Sequence, residues 1–312
     1  MTSNPAAPSG ALSRSTAYGL LALVVILWGA NWPTMKVGLH YITPIWFGCI
    51  RMGLGAACLF AYLAAVGKLA LPTRQDLPVI ASVGLLQMAI FQPLVNFGLQ
   101  HVPAGRSSVL VYTTPLWVVP GAVLFLGEKL TRLKVAGLAC GLLGVAVLFN
   151  PLGLDWSDSG VMLGSGALML GAMIWGGAIL HIRTHRWHLS PLQLTAWQLL
   201  LAFVLLLPLA LTIDGPAAIE WNGTLLAVIL YNGPLATAFA FWASTSISRA
   251  LPAITSSLSF LAVPVMGLTL STLALGESLG PTLLGGFGLI LGGVVLVNLA
   301  DRRASLRSSP RR

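Results

Sequence analysis

The chain has 312 residues, of which 56% are apolar and 8% charged, with a net charge of +9 and a mean hydropathy of +0.87. Charged residues make up about a quarter of an ordinary soluble domain and supply much of its wet surface. The composition therefore excludes an ordinary soluble enzyme and a disordered chain and, despite the basic balance, weighs against a soluble nucleic-acid binder.

A bilayer core is about 30 Å thick, so a spanning helix needs about 20 mostly apolar residues. Such runs predict ten helices, over 16–36, 43–66, 77–99, 104–126, 133–150, 160–182, 190–211, 222–245, 252–275 and 282–299. Turn chemistry separates them: Thr43-Pro44, Leu71-Pro72, Val102-Pro103, Asn150-Pro151, Ser190-Pro191, Asp214-Gly215-Pro216, Leu251-Pro252 and Gly280-Pro281. The first run exceeds a signal-peptide core and no small-residue cleavage site follows it, so it is expected to be a retained helix. Short tails, 1–15 and the basic 300–312, flank the spans. Fourteen Lys and Arg fall on the side of the termini. Lys36 and Arg106 fall on the other, and Arg51 lies inside the second run. This asymmetry predicts that both termini are cytoplasmic, and an even number of spans agrees.

The chain also repeats itself. Pro103-Ala104-x-x-Ser107-Ser108 recurs as Pro252-Ala253-x-x-Ser256-Ser257. Pro115 recurs as Pro264, and Leu124-x-Leu126-Gly127-Glu128-x-Leu130 as Leu273-x-Leu275-Gly276-Glu277-x-Leu279, all at an offset of 149. Trp28-Gly29 matches Trp175-Gly176, and Pro44 matches Pro191, at 147. Five helices per half is an odd number, so the second half enters the membrane from the opposite side and the repeat is inverted. The expected fold class is an all-α integral membrane protein of two inverted five-helix repeats, 16–150 and 160–299.

Five plus five helices, Trp28-Gly29-x-Asn31, an Arg in helix 2 and Gly-Glu after helices 4 and 9 resemble the drug/metabolite transporter superfamily, EamA-like group. The resemblance covers about residues 16–300. It implies transport of small metabolites across the bacterial inner membrane, often outward, with amino acids and their derivatives among them. It also implies a central cavity lined by helices 1, 3, 4, 6, 8 and 9, with helices 5 and 10 peripheral.

The eight carboxylates, Asp76, Glu128, Asp155, Asp158, Asp214, Glu220, Glu277 and Asp301, all fall outside the spans. A buried carboxylate commonly marks a proton or cation site in a membrane protein. Its absence argues against the proton-for-cation exchange of small multidrug antiporters, and against a membrane enzyme holding magnesium diphosphate. Neither a metal nor a cofactor is expected. Cys49, Cys58 and Cys140 read as small buried hydrophobes, and His181, His185 and His188 as a wet helix end rather than a zinc site.

Uncharged groups are left to build a site. Expected to line it are Trp28 and Asn31 on helix 1, Gln87 and Phe91 on helix 3, Tyr112 on helix 4, Trp175 on helix 6, Trp197 on helix 7 and Phe239 on helix 8. Gln92 and Asn96 fall about 100° around helix 3 from Gln87 and Phe91, and Trp32 and Tyr231 read as interfacial belt residues. Arg51 has two readings, structural or gripping a substrate carboxylate; its repeat equivalent is Gln198. Pro115 and Pro264 lie mid-helix and would kink as a pair of gates. Glycine-rich faces on helices 5 and 10 suit close packing within the chain or between two copies. The expected function is an alternating-access transporter, with export favoured, of a small neutral or zwitterionic metabolite. Its partners would be that metabolite and the lipid bilayer, with no nucleic acid, as a monomer or homodimer. The alternatives are a passive facilitator or channel and a membrane-embedded enzyme or lipid-handling protein.

Overall fold

A computed structural model describes residues 12–149, 157–215, 219–275 and 281–308. The predicted Gly276-Glu277 end of helix 9, Asp155, and the outermost parts of both tails lie outside the described residues. The described residues are helical and contain no strand. The helices are α1 Arg14–Gly38, α2 Pro44–Ala65, α3 Leu77–His101, α4 Ala104–Leu126, α5 Arg132–Phe149, α6 Ser159–Thr184, α7 Pro191–Asp214 and α8 Gly223–Ala250. Then come α9, in two pieces Ala253–Ser259 and Ala262–Leu275, and α10 Pro281–Ser308. Each of the ten coincides with one predicted span. Seven (α1–α4 and α6–α8) carry long apolar stretches fit to cross a membrane, and shorter apolar stretches lie at Ala253–Gly267 and Gly288–Val297. α10 runs to Ser308, nine residues beyond the predicted end of the last span.

The ends are set by local chemistry. Ser13 caps α1 by accepting from the Thr16 amide at 3.1 Å, and Asp158 caps α6 by accepting from the Gly160 amide at 2.7 Å. Ser190 and Gln193 form a full capping box on α7, with Pro191 in its first turn. Gly127, at φ 64°, closes α4 in the left-handed region that costs glycine least. Outward faces are apolar, as lipid requires: Leu124 and Phe125 are 75% and 77% exposed.

The two halves are five-helix repeats of opposite orientation, and their contacts show it. Lys36, at the end of α1, donates to the Leu99 and Gln100 carbonyls at the end of α3. Its equivalent, Arg183 at the end of α6, donates to the Arg249 carbonyl at the end of α8, at 2.8 Å. These ties lie within each repeat, on opposite faces of the bundle. Between repeats, α2 packs along α7, and a carboxylate ties the repeats on each face: one from the start of α3, the other onto the start of α2. On the face carrying the termini, Asp76 accepts from the His188 and Leu189 amides at 2.7 and 3.1 Å. On the other face, Asp214 accepts from the Ile45 and Trp46 amides at 3.1 and 3.3 Å.

The glycine faces pack within the chain, α5 against α10. A Cβ on Gly137 would lie 2.8 Å from the Gly293 carbonyl oxygen, and one on Gly293 would lie 2.6 Å from that of Gly137. Only glycine allows the backbones this close. α5 and α10 form a pair at the side of the bundle, leaving the centre to the other helices.

Two features of the backbone bear on the centre. Val83–Ile90 in α3 and Asn232–Phe239 in α8 are π-helical, and the two stretches coincide at the repeat offset of 149. Such wider turns free a carbonyl and are frequent at functional sites. α4 is interrupted at Tyr112–Thr114, just before Pro115, and α9 at Phe260–Leu261, just before Pro264.

Candidate functional site

The centre of the bundle holds a cavity of about 40 Å³, room for a few water molecules. α1 contributes Trp28, Asn31, Trp32 and Met35, and α2 contributes Arg51. α3 supplies Gln87, Phe91, Gln92 and Val95, α4 supplies Val111 and Tyr112, α6 supplies Trp175 and α8 supplies Phe241. Among these lining residues there is no carboxylate.

An aromatic cluster forms the wall. Trp175 is its hub, with ring centroids 5.4 Å from Tyr112, 5.5 Å from Trp28, 5.9 Å from Phe91 and 5.5 Å from Phe260. The Trp28–Trp175 and Tyr112–Trp175 pairs are edge-to-face, at 80°, an arrangement that places a positive ring edge on a negative face. Phe260 is how α9 reaches the site.

Polar atoms around the wall are unevenly satisfied. The Arg51 side chain is 2% exposed. Its Nε donates to Thr237 Oγ1 at 2.9 Å, and one terminal nitrogen donates to Met35 Sδ and Gln92 Oε1, both at 3.1 Å. Trp28 Nε1 donates to the Ala236 carbonyl, within the α8 π-stretch, at 3.1 Å. Trp175 Nε1 and Asn31 Oδ1 are buried without a partner, and each such atom costs about 1–3 kcal/mol.

The repeat makes the tryptophan pair informative. Trp175 is the equivalent of Trp28, and Gln87 that of Ala236. The symmetric counterpart of the Trp28–Ala236 bond is Trp175 Nε1 to the Gln87 carbonyl, and it is not made. One of two equivalent bonds between the repeats is formed and the other is broken.

Of the residues expected at the site, Trp28, Asn31, Gln87, Phe91, Tyr112, Trp175 and Arg51 lie on the cavity. Trp197 does not: its Nε1 donates to the Ala70 carbonyl at 2.9 Å, and its ring meets Phe60 edge-on. Phe239 meets Trp242 edge-to-face instead, with ring centroids 5.4 Å apart. Trp32, expected in the interfacial belt, is buried on the cavity beside Tyr112, 6.4 Å between ring centroids. Tyr231 is partly buried and donates to the Leu27 carbonyl at 2.6 Å.

Gln92 and Phe241 were not expected at the cavity, yet they are repeat equivalents at offset 149, so the repeat itself held a signal for the pair. The π-stretch explains Gln92. A wider turn changes the angular step along α3, so Gln87, Phe91 and Gln92 share one face that a 3.6-residue period splits. α2 lines the cavity through Arg51, which the family resemblance did not imply.

At the terminal face, His181 Nδ1 lies 2.5 Å from Ser82 Oγ, and His185 Nε2 is 2.9 Å from the Gln75 carbonyl. Among the described residues, no group of three or more His, Cys, Asp or Glu could hold a metal ion. Also on this face, Glu128 spans the repeats. Its two carboxylate oxygens accept from the Ala253 amide at 2.6 Å and the Ile254 amide at 3.2 Å, at the start of α9.

The profile of the EamA-like transporter family matches residues 15–150 and 162–299, one copy per repeat. The chain belongs to the EamA-like transporter family. Curated relatives match over most of their lengths. A transporter of Bacillus subtilis, YoaV, is 30% identical over 273 residues, 88% of this chain and 93% of its own. A probable terminal-alkyne amino-acid exporter of Streptantibioticus cattleyicolor is 30% identical over 291 residues, 92% and 95%. A probable amino-acid metabolite efflux pump of Escherichia coli is 28% identical over 275 residues, 84% and 88%. A crystal structure with 24% identity superposes with a TM-score of 0.73, over 94% of this chain and 99% of the other, so the fold is one already seen by experiment.

Proposed function

We propose that this chain is an alternating-access carrier of the bacterial inner membrane, with both termini cytoplasmic. It exports a small neutral or zwitterionic metabolite, an amino acid or a derivative. The observation that carries this reading is the broken symmetry between Trp28–Ala236 and Trp175–Gln87. A two-repeat carrier needs two states in which the halves exchange roles. A bond made at one of two equivalent places between the repeats and missing at the other is what such an exchange would leave behind.

Other features support it. A cavity of about 40 Å³ is too small for a metabolite, so solute entry requires the repeats to part. The paired breaks before Pro115 and Pro264 give α4 and α9 a place to bend on opposite sides of the centre. The packed α2–α7 pair, with the Asp214 tie at one face and the Asp76 tie from the start of α3 at the other, would hold still while they do. Two of the relatives are named as exporters or efflux pumps of amino acids or their metabolites.

The test is flux. Purified protein in liposomes, loaded with a panel of amino acids and derivatives, should release at least one of them with saturable kinetics. Efflux that rises linearly with solute concentration would favour a passive facilitator, and no flux of any solute would count against transport.

A further inference from the structure

Arg51 carries a charge into the centre of the bundle, where every partner described for it is neutral: Thr237 Oγ1, Gln92 Oε1 and the weak acceptor Met35 Sδ. Those bonds use Nε and one terminal nitrogen. The second terminal nitrogen, with two donors, is left for a ligand. The repeat shows that helix packing alone does not call for a charge here. The equivalent Gln198 is fully buried and ties α7 to α3 as a neutral amide, through the Val79 carbonyl at 3.3 Å. On the same cavity, Asn31 is 5% exposed and its Oδ1 has no donor. A cation without a counter-ion and an acceptor without a donor thus face one space, beside a wall of aromatic rings.

We propose that Arg51 pairs with the carboxylate of the transported solute, and that Asn31 Oδ1 accepts from an N–H next to that carboxylate. The apolar remainder of the solute packs against Trp28 and Trp175. This inference rests on the transport reading and narrows its substrates. They are carboxylates with a neighbouring N–H, a chemistry shared by free amino acids and N-acylamino acids. The free terminal nitrogen offers a carboxylate a charge-assisted bond, which a neutral amide or a cationic amine in its place does not accept in the same way. With no acid lining the cavity, a free ammonium would rest on the Asn31 oxygen and the ring faces. An N-acyl amide N–H would need only the oxygen.

The experiment uses the full chain, in detergent for binding by tryptophan fluorescence and in liposomes for flux. The probes are leucine, N-acetylleucine, leucinamide and 3-methylbutylamine. Leucine, N-acetylleucine or both should bind and be transported, and whichever does identifies the source. Leucinamide and 3-methylbutylamine should compete at least tenfold more weakly. R51Q should lose at least tenfold in apparent affinity for the carboxylate probes, and R51K should retain part of it. The proposal is overturned if leucinamide competes as well as leucine, if R51Q binds as tightly as the parent, or if the parent transports other solutes but neither carboxylate. Should R51Q fail to fold, competition on the parent protein still decides. Absence of flux for every solute would instead defeat the transport reading, and this inference with it.

Discussion

Removing Glu128 should open the face that carries the termini. Its carboxylate accepts two amides at the start of α9, at 2.6 and 3.2 Å, and so ties the end of one repeat to the other. Hydrogen bonds to a charged group contribute about 1.5–3 kcal/mol each, and a carboxylate at a helix N-terminus gains a further 0.3–1 kcal/mol or so. Glu128 is half-buried, so water takes over part of this in the variant. A net loss of about 2 kcal/mol remains, which is about a thirtyfold shift between conformations. The assay is a single reporter, Val111→Cys, in a background with Cys49, Cys58 and Cys140 replaced. Val111 lines the cavity and is 1% exposed. With Glu128→Ala, a membrane-impermeant maleimide applied to the terminal face should label the reporter ten- to thirtyfold faster, with no gain from the other face. Equal labelling with and without Glu128, or a gain on the opposite face, would refute the reasoning.

Three further predictions rest on separate contacts. Gly137→Ala places a Cβ 2.8 Å from the Gly293 carbonyl, closer than real Cβ atoms come, whereas Gly288→Ala meets nothing within 4 Å. The first should lower thermal stability in detergent by about 1–3 kcal/mol. The second should leave it unchanged or raise it by up to about 1 kcal/mol through helix propensity. Trp28→Phe should cost about 1 kcal/mol of stability by releasing the Ala236 carbonyl, while Trp175→Phe, which removes a donor already unpaired, should cost less; thermal melts of the two compare them directly.

The last concerns Asp76. Burial pushes its carboxyl up, but the Thr73 hydroxyl and the Leu189, Thr73 and His188 amides outweigh that and hold it below the usual carboxylate range. Its stabilisation is therefore fully present above the unfolded value of about 3.9 and is lost as pH falls through the lowered folded value. Asp76→Asn should melt earlier than the parent at pH 7, by about 2 kcal/mol, with the gap closing in acid.

The ten spans and their inversion were legible because lipid demands long apolar runs and because the offsets of 147 and 149 repeat in order. The glycine faces were legible as contact surfaces, and the structure assigned them to each other. Helix rotation was not legible. These helices are apolar almost all round, so the amphipathic pattern that orients a helix in water is missing, and Trp197 and Phe239 were placed at the centre when they pack elsewhere. Trp32 shares a helical face with Trp28 and Asn31, and it was the depth of the cavity along α1, not rotation, that was not legible there. Nothing in the apolar pattern announces a π-stretch, and that is what brought Gln92 round to the cavity. Arg51 could be seen as an anomaly in the sequence, but its neutral neighbours needed three helices in place.

The most direct measurement is trans-stimulation in liposomes. Vesicles holding the protein are preloaded with an unlabelled solute from the panel, and uptake of the same solute in labelled form is followed. A carrier whose repeats exchange roles around one cavity predicts uptake several-fold faster than into empty vesicles, because loaded return is faster than empty return. Uptake unaffected by the preload, with flux set by concentration alone, would contradict the account.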